Sequence, residues 1–225
     1  MDKKKKIFLI VFGIILFLML VFSVFFALIN INNNNILNGI SINNVDVSGL
    51  SKDDATNKLL KIIQDKENKN IIIKTDQENE LTTTYDYLQV NYNLNNTINE
   101  AFNIGRSSNI FKNNFDIINL FFEKQNLNLN IELNENNLNQ LENEISANLE
   151  NKVIQSSYYI ENDKLIITRG SSGYVIDKDN FSNSLYTILN NISSTKNSLS
   201  IITKNVEPDE IDISKIYTEV HKDMK

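Results

Sequence analysis

The sequence predicts an α+β protein, with an N-terminal transmembrane helix followed by a mixed, mainly antiparallel sheet domain built of repeated strand-helix-strand units in two lobes. Three observations predict it. Residues Ile7 to Ile29 are almost purely apolar. Beyond them, short apolar runs of period two alternate with stretches of helical period, and polar capping residues stand at the joints. The chain has no cysteine, so packing alone holds the fold, and disulfides, thiol nucleophiles and thiolate metal sites are excluded.

The first residues are Met1 and Asp2, then Lys3, Lys4, Lys5 and Lys6, a basic stub over 1–6 that the positive-inside rule keeps in the cytoplasm. As a helix the run 7–29 is about 35 Å long, enough for a hydrocarbon core of about 30 Å. A cleaved signal has an apolar region of about 7 to 15 residues and ends at a small-x-small site. The exit here, Ser23-Val24-Phe25-Phe26-Ala27-Leu28, is bulky, so the run reads as an uncleaved anchor. A buried core helix is rarely apolar on all sides for so long. A polar linker over 30–35 then leads to a folded domain at 36–208 on the outer side of a single-pass membrane protein. Its lobes are expected at about 36–125 and 126–208, with a C-terminal tail over 209–225.

Each element has its own signal. Ile40, Ile42, Val45 and Val47 read as extended chain, and Gly49 after them marks a tight turn or positive φ. Ser51 caps a helix with Asp54 at the capping-box position, and Ala55, Leu59, Ile62 and Ile63 share one face. Ile71 to Ile73 reads as a buried strand and Leu81 to Thr84 as a more exposed one. Leu94, Ile98, Ala101, Phe102 and Ile104 predict a helix ended by Gly105, and Ile110 to Phe122 a second, phenylalanine-rich helix whose aromatic stripe is expected to pack in the core or between lobes. Leu127, Leu129, Ile131 and Leu133 alternate as one half-buried strand before Asn134 opens a helix lined by Leu138, Leu141, Ile145 and Leu149. Ser156 to Ile160 and Leu165 to Thr168 form a hairpin around Asn162 and Asp163. Tyr174 to Ile176 leads to a helix capped by Asp177, with Phe181, Leu185, Ile188, Leu189 and Ile192 as its stripe. Leu199, Ile201 and Ile202 return as a strand before Pro208.

The net charge is −6 at pH 7, and the basic residues beyond the lysine stub are dispersed, which excludes nucleic acid as a partner. The abundance of Asn, Ile and Lys reflects an AT-rich base composition, and no function is read from the asparagines.

The run Gly39-Ile40-Ser41-Ile42-Asn43-Asn44-Val45-Asp46-Val47-Ser48-Gly49-Leu50-Ser51, followed by Asp54, Ala55 and Leu59, resembles the opening of the YoaR-like peptidoglycan-binding domain. Ala101, Ile104, Gly105 and Arg106 stand in the order of that family's helix-ending motif. Thr168, Arg169, Gly170, Gly173, Tyr174, Val175, Ile176 and Asp177 resemble its later glycine motif, with Arg169 where the family has proline. The similarity runs from about Ile36 to Pro208. It implies a non-catalytic module that binds peptidoglycan, of the kind found upstream of VanW-like and L,D-transpeptidase domains. The tail from Ile211 to Val220 resembles the start of a second unit. The alternatives are the front part of a longer wall enzyme of those two kinds, or a protein-interaction scaffold for wall synthesis.

No catalytic residues, metal ligands or cofactor are expected. An L,D-transpeptidase needs a cysteine beside histidine, and the chain has only His221, near its C-terminus. Arg106 and Arg169 are the only arginines beside twenty lysines. A guanidinium fork grips a carboxylate bidentately, and peptidoglycan stem peptides end in carboxylates. The candidate ligand-binding residues are therefore Arg106 and Arg169, lining a groove between lobes, with Gly170 and Gly173 presenting backbone N–H groups and Tyr174, Tyr158 or Tyr159 offering a flat face. The structural alternative for the arginines is a lobe-to-lobe pair or a helix C-terminal cap.

Overall fold

The computed structural model describes residues 2–162 and 164–222, with side chains described as far as Tyr217. Asp163 and the side chain of His221 lie outside the described residues. In chain order the elements are α1 (Lys3–Ile31), β1 (Ile40–Ile42), β2 (Val45–Asp46), α2 (Lys52–Glu67), β3 (Ile71–Thr75) and β4 (Glu80–Thr83). Then come β5 (Asn91–Tyr92), α3 (Leu94–Asn103), α4 (Ile110–Asn119), β6 (Gln125–Leu127), β7 (Ile131–Glu132) and α5 (Glu135–Ala147). The last are β8 (Ser157–Glu161), β9 (Lys164–Thr168), β10 (Gly173–Ile176), α6 (Lys178–Asn190), β11 (Ser198–Ile201), β12 (Thr203–Val206) and α7 (Ile213–Lys222).

The protein is a mixed α+β chain with an N-terminal apolar helix and small sheets. It divides into two compact units, each assembled from separate stretches of chain. One holds Met1–Asn68, Val90–Glu132 and Leu189–Thr195; the other holds Lys69–Gln89, Leu133–Ile188 and Lys196–Lys225. The strands on either side of α2 thus go to different units.

In the first unit β1 pairs antiparallel with β2 and parallel with β6, and β5 pairs antiparallel with β7. Asn43 and Asn44, at φ 44° and 64°, form the two-residue turn between β1 and β2, the left-handed geometry that a tight hairpin requires and asparagine tolerates. The core gathers Ile40, Ile42, Val45 and Val47 from this hairpin, Ala55, Leu59 and Ile63 from α2, Leu94, Ile98 and Ala101 from α3, and Leu127 and Leu129. At the start of α2, Ser51 Oγ accepts from the Asp54 N–H at 3.1 Å, as the capping pattern predicts.

Leu127 to Leu133 is two short strands rather than the single one expected, and Asn43 is the reason. Its N–H donates to the Leu127 carbonyl at 2.8 Å, and its buried Oδ1 accepts the Leu129 N–H at 2.8 Å while Nδ2 donates to the Asn190 carbonyl at 2.7 Å. A side-chain amide replaces a strand partner at Leu129, and the chain then turns to pair β7 with β5. A second expectation fails in α4. Phe111, Phe115, Phe121 and Phe122 are exposed, while Asn113, Asn114 and Ile117 are buried, so the aromatic stripe packs neither in the core nor against a lobe.

In the second unit β3 is the centre of a three-stranded sheet, antiparallel to β4 and parallel to β11. Leu141 and Ile145 of α5 and Phe181 and Leu185 of α6 are buried. A 2.7 Å ion pair from Lys178 to the buried Glu142 ties these two helices together. The return strand expected over Leu199 to Ile202 ends at Ile201; Ile202 is exposed, and β12 beyond it pairs antiparallel with β10.

Candidate functional site

Arg106 belongs to the first unit, and Arg169, Gly170, Gly173 and Tyr174 to the second. Arg106 follows Gly105, whose φ of +72° ends α3 in the left-handed conformation. A Cβ at Gly105 would lie 2.7 Å from Ile117 Cγ1, so the position demands glycine on space as well as on dihedral. From this corner the guanidinium reaches three carbonyls of its own unit. Nε donates to Asn30 at 3.0 Å, one terminal nitrogen to Asn35 at 2.6 Å and the other to Phe102. Its Cζ also sits 4.3 Å from the centre of the Phe102 ring. Burial lowers its pKa from the ordinary guanidinium value, which lies so far above neutrality that the group stays charged. The arrangement caps the C-termini of α1 and α3 with one cation, where the helix dipoles favour it. It matches the structural alternative for this arginine and occupies the fork that a ligand would need.

Around Arg169 the chain forms an arch over residues 151–156. Ser171 and Ile154 exchange backbone hydrogen bonds, the Tyr174 N–H donates to Asn151 O at 2.9 Å, and the Val153 N–H donates to Tyr174 O. The Gly170 N–H donates to Ser156 Oγ at 3.1 Å. The Gly170 N–H is engaged within the protein, so it is not presented to a ligand as the loop pattern suggested. The role of the two glycines is close approach of backbones. A Cβ at Gly173 would stand 2.4 Å from Asn151 O and 2.5 Å from Lys152 C, and one at Gly170 2.2 Å from Ile154 O.

Arg169 is exposed and pairs with none of the described residues. It follows directly on the β8–β9 hairpin, whose register sets Tyr158 opposite Ile167 and Ile160 opposite Leu165. Cross-strand partners share a face, so these four form one apolar face, and all four are exposed. Tyr159, also exposed, lies on the other face opposite Ile166. Asn162 turns the hairpin with φ 49°. Tyr174 is half-buried on β10. Below the arch, Asp177 caps α6 by accepting the Asn180 N–H at 3.2 Å and pairs with Lys204 at 2.7 Å. That pairing, above all the Lys204 hydrogen bond, holds the Asp177 carboxyl below the usual carboxylate range and raises Lys204.

The first unit also has a cavity of about 520 Å³, lined among others by Phe26, Asn30, Asn35, Gly39, Phe121 and Lys124, and by none of the candidate ligand-binding residues. Among the described residues no group of three or more His, Cys, Asp or Glu side chains comes together in a metal-binding arrangement.

No curated protein and no solved structure matches the chain. A family model does, over residues 81–198. This span contains Arg106, the arch and the exposed hairpin, and starts beyond the Gly39 to Ser51 opening. The chain belongs to that family, which is described as "Putative peptidoglycan binding domain".

Proposed function

We propose that this chain is a membrane-anchored extracytoplasmic module that binds peptidoglycan without catalysing its breakdown or synthesis. The family match over 81–198 carries the reading. Support for the anchor comes from α1, which is long and apolar enough to cross a membrane. The lysines at its start orient the N-terminus toward the cytoplasm and the domain over 36–208 toward the wall.

The wall-binding surface in this reading is the hairpin and arch of the second unit. Exposed apolar patches on a folded protein mark interaction sites, and a two-stranded hairpin exposed on both faces gains little stability from the fold around it. Tyr158, Ile160, Leu165 and Ile167 offer a flat apolar face to the C–H face of a sugar ring or to an alanine-rich stem peptide. Continuing the alternation of β9 by one step brings Arg169 to the same face, where its fork takes a stem-peptide carboxylate bidentately. Gly170, Gly173 and Tyr174 shape the arch that holds it. Arg106 acts on the fold alone. The anchor confines the domain to the membrane-proximal wall, so weak contacts with a polymer suffice for retention.

The test is co-sedimentation of the full chain, in lipid nanodiscs, with purified peptidoglycan sacculi. The reading expects saturable recovery in the pellet. Recovery equal to that of empty nanodiscs removes it, as does a reporter fused after Lys225 that is active only in the cytosol.

A further inference from the structure

Helix α4 is built inside out for a helix surrounded by water. The side it turns to the protein holds Asn113, Asn114 and Ile117, which are 2%, 7% and 5% exposed. The outer side holds Phe111, Phe115, Ile118 and, just past the helix end, Phe122, which are 73%, 66%, 50% and 86% exposed. Their spacing of four, three and four residues is one continuous stripe. Scattered apolar residues on a surface need no explanation, but an unbroken apolar stripe over buried amides does.

The same helix is bonded to α1. Asn114 Nδ2 donates to the carbonyl of Ser23 at 2.9 Å and to its hydroxyl at 2.7 Å. Ser23, Phe26, Ala27 and Asn30, at helical spacing, are the residues by which the end of α1 is covered, while the rest of α1 is exposed all round. The level of Ser23 in a bilayer follows from the sequence. Lys3 to Lys6 set the inner boundary, and a core of about 30 Å takes up about 20 helical residues, from Ile7 to near Phe26. Ser23 is three residues short of that point, about 4.5 Å inside the outer boundary. A helix hydrogen-bonded at this level has its outer side where acyl chains meet headgroups.

We propose that α4 is an interfacial membrane helix whose phenylalanine stripe lies in the outer leaflet beside α1. The proposal rests on the reading of α1 as an outward-facing anchor. Lipid is the occupant because α4 is hydrogen-bonded through Asn114 to α1, whose surface outside Ser23, Phe26, Ala27 and Asn30 is exposed and mostly apolar, and amphipathic helices lie about 5–10 Å deep in this boundary. Burying the amides against protein and turning the rings outward is the pattern that this environment selects. The consequence is a first unit held against the membrane by two helices, fixed in orientation rather than swinging on a linker.

The absence of cysteine makes the test direct. Single-cysteine variants Phe115→Cys, Phe122→Cys, Leu16→Cys and Asp65→Cys of the full chain are labelled with an environment-sensitive fluorophore in nanodiscs. Each is then quenched with brominated lipid and with aqueous iodide. The expected result is lipid quenching and loss of iodide quenching at Phe115 and Phe122 as at Leu16, with the reverse at Asp65. If Leu16 is quenched by lipid but Phe115 and Phe122 by iodide, the interfacial helix is wrong and the anchor stands. Protection of the two phenylalanine positions from both quenchers also overturns the proposal, since protein, such as a second copy, then covers the stripe. Iodide quenching at Leu16 removes the anchor and the proposal together.

Discussion

The corner around Arg106 and the arch around Arg169 use the same rare residue in opposite ways. At Arg106 the guanidinium is the structural element, because three segments converge on it and each gives it a carbonyl. At Arg169 the segments are joined by backbone bonds and by glycines that admit a second chain at contact distance, and the guanidinium is left exposed. Rarity therefore marks positions where a planar five-donor cation is useful, and says nothing of what it grips. A trio of carbonyls and a ligand carboxylate call for the same fork.

The sharpest way to break this contrast is at the arch. Gly173→Ala puts a methyl against the backbone of Asn151 to Val153, which cannot swing aside as a side chain would. A loss of about 3 kcal/mol is expected, at the top of the usual range for overpacking. Denaturant unfolding reads it, and an unchanged midpoint would mean that the backbones are not held together there. Next in size is Arg106→Ala, which strips the donors from three carbonyls and is expected to cost about 2 kcal/mol. Arg106→Lys restores a point charge without the fork and recovers only part of that loss. Limited proteolysis at residues 32–35 is the second readout; equal resistance in wild type and Arg106→Ala contradicts the clamp.

Smaller again is the acid response of the second unit. Lys204 and the Asn180 N–H favour ionised Asp177, so its carboxyl titrates lower folded than unfolded. The stability it contributes is complete above the ordinary carboxylate value of about 4 and is lost as pH falls through the lowered one. Asp177→Asn is expected to flatten that limb of the stability profile, and a profile identical to wild type would refute the pairing. The least effect on folding is expected from Arg169→Ala, within about 0.5 kcal/mol of wild type.

Much of the fold was legible because local rules and packing agree. Ser51 and Asp54 start α2, Asn134 caps α5 through the Asn137 N–H, and the stripe from Phe181 to Leu189 is buried as its period predicts, while Ile192 is buried beyond the end of α6. Periodicity also located the α4 stripe, but it reports only that one side of a helix is apolar. Whether protein or another solvent covers that side depends on neighbours distant in sequence, here Ser23 bonded to Asn114. Asparagine is so abundant in the sequence that nothing in composition sets Asn43 apart, yet its buried amide divides one expected strand into two. At the candidate site, Arg169 and the hairpin were visible as residue types. The use of the Gly170 and Tyr174 N–H groups inside the arch was not, because their partners at 151–156 are set by tertiary contact.

The decisive measurement is sacculus binding by three full chains in nanodiscs: wild type, Arg106→Lys and Arg169→Ala, each first shown to be folded. Binding through the arch predicts pelleting of wild type and Arg106→Lys alike and a marked loss for Arg169→Ala. Pelleting of Arg169→Ala at the wild-type level, or loss confined to Arg106→Lys, contradicts it.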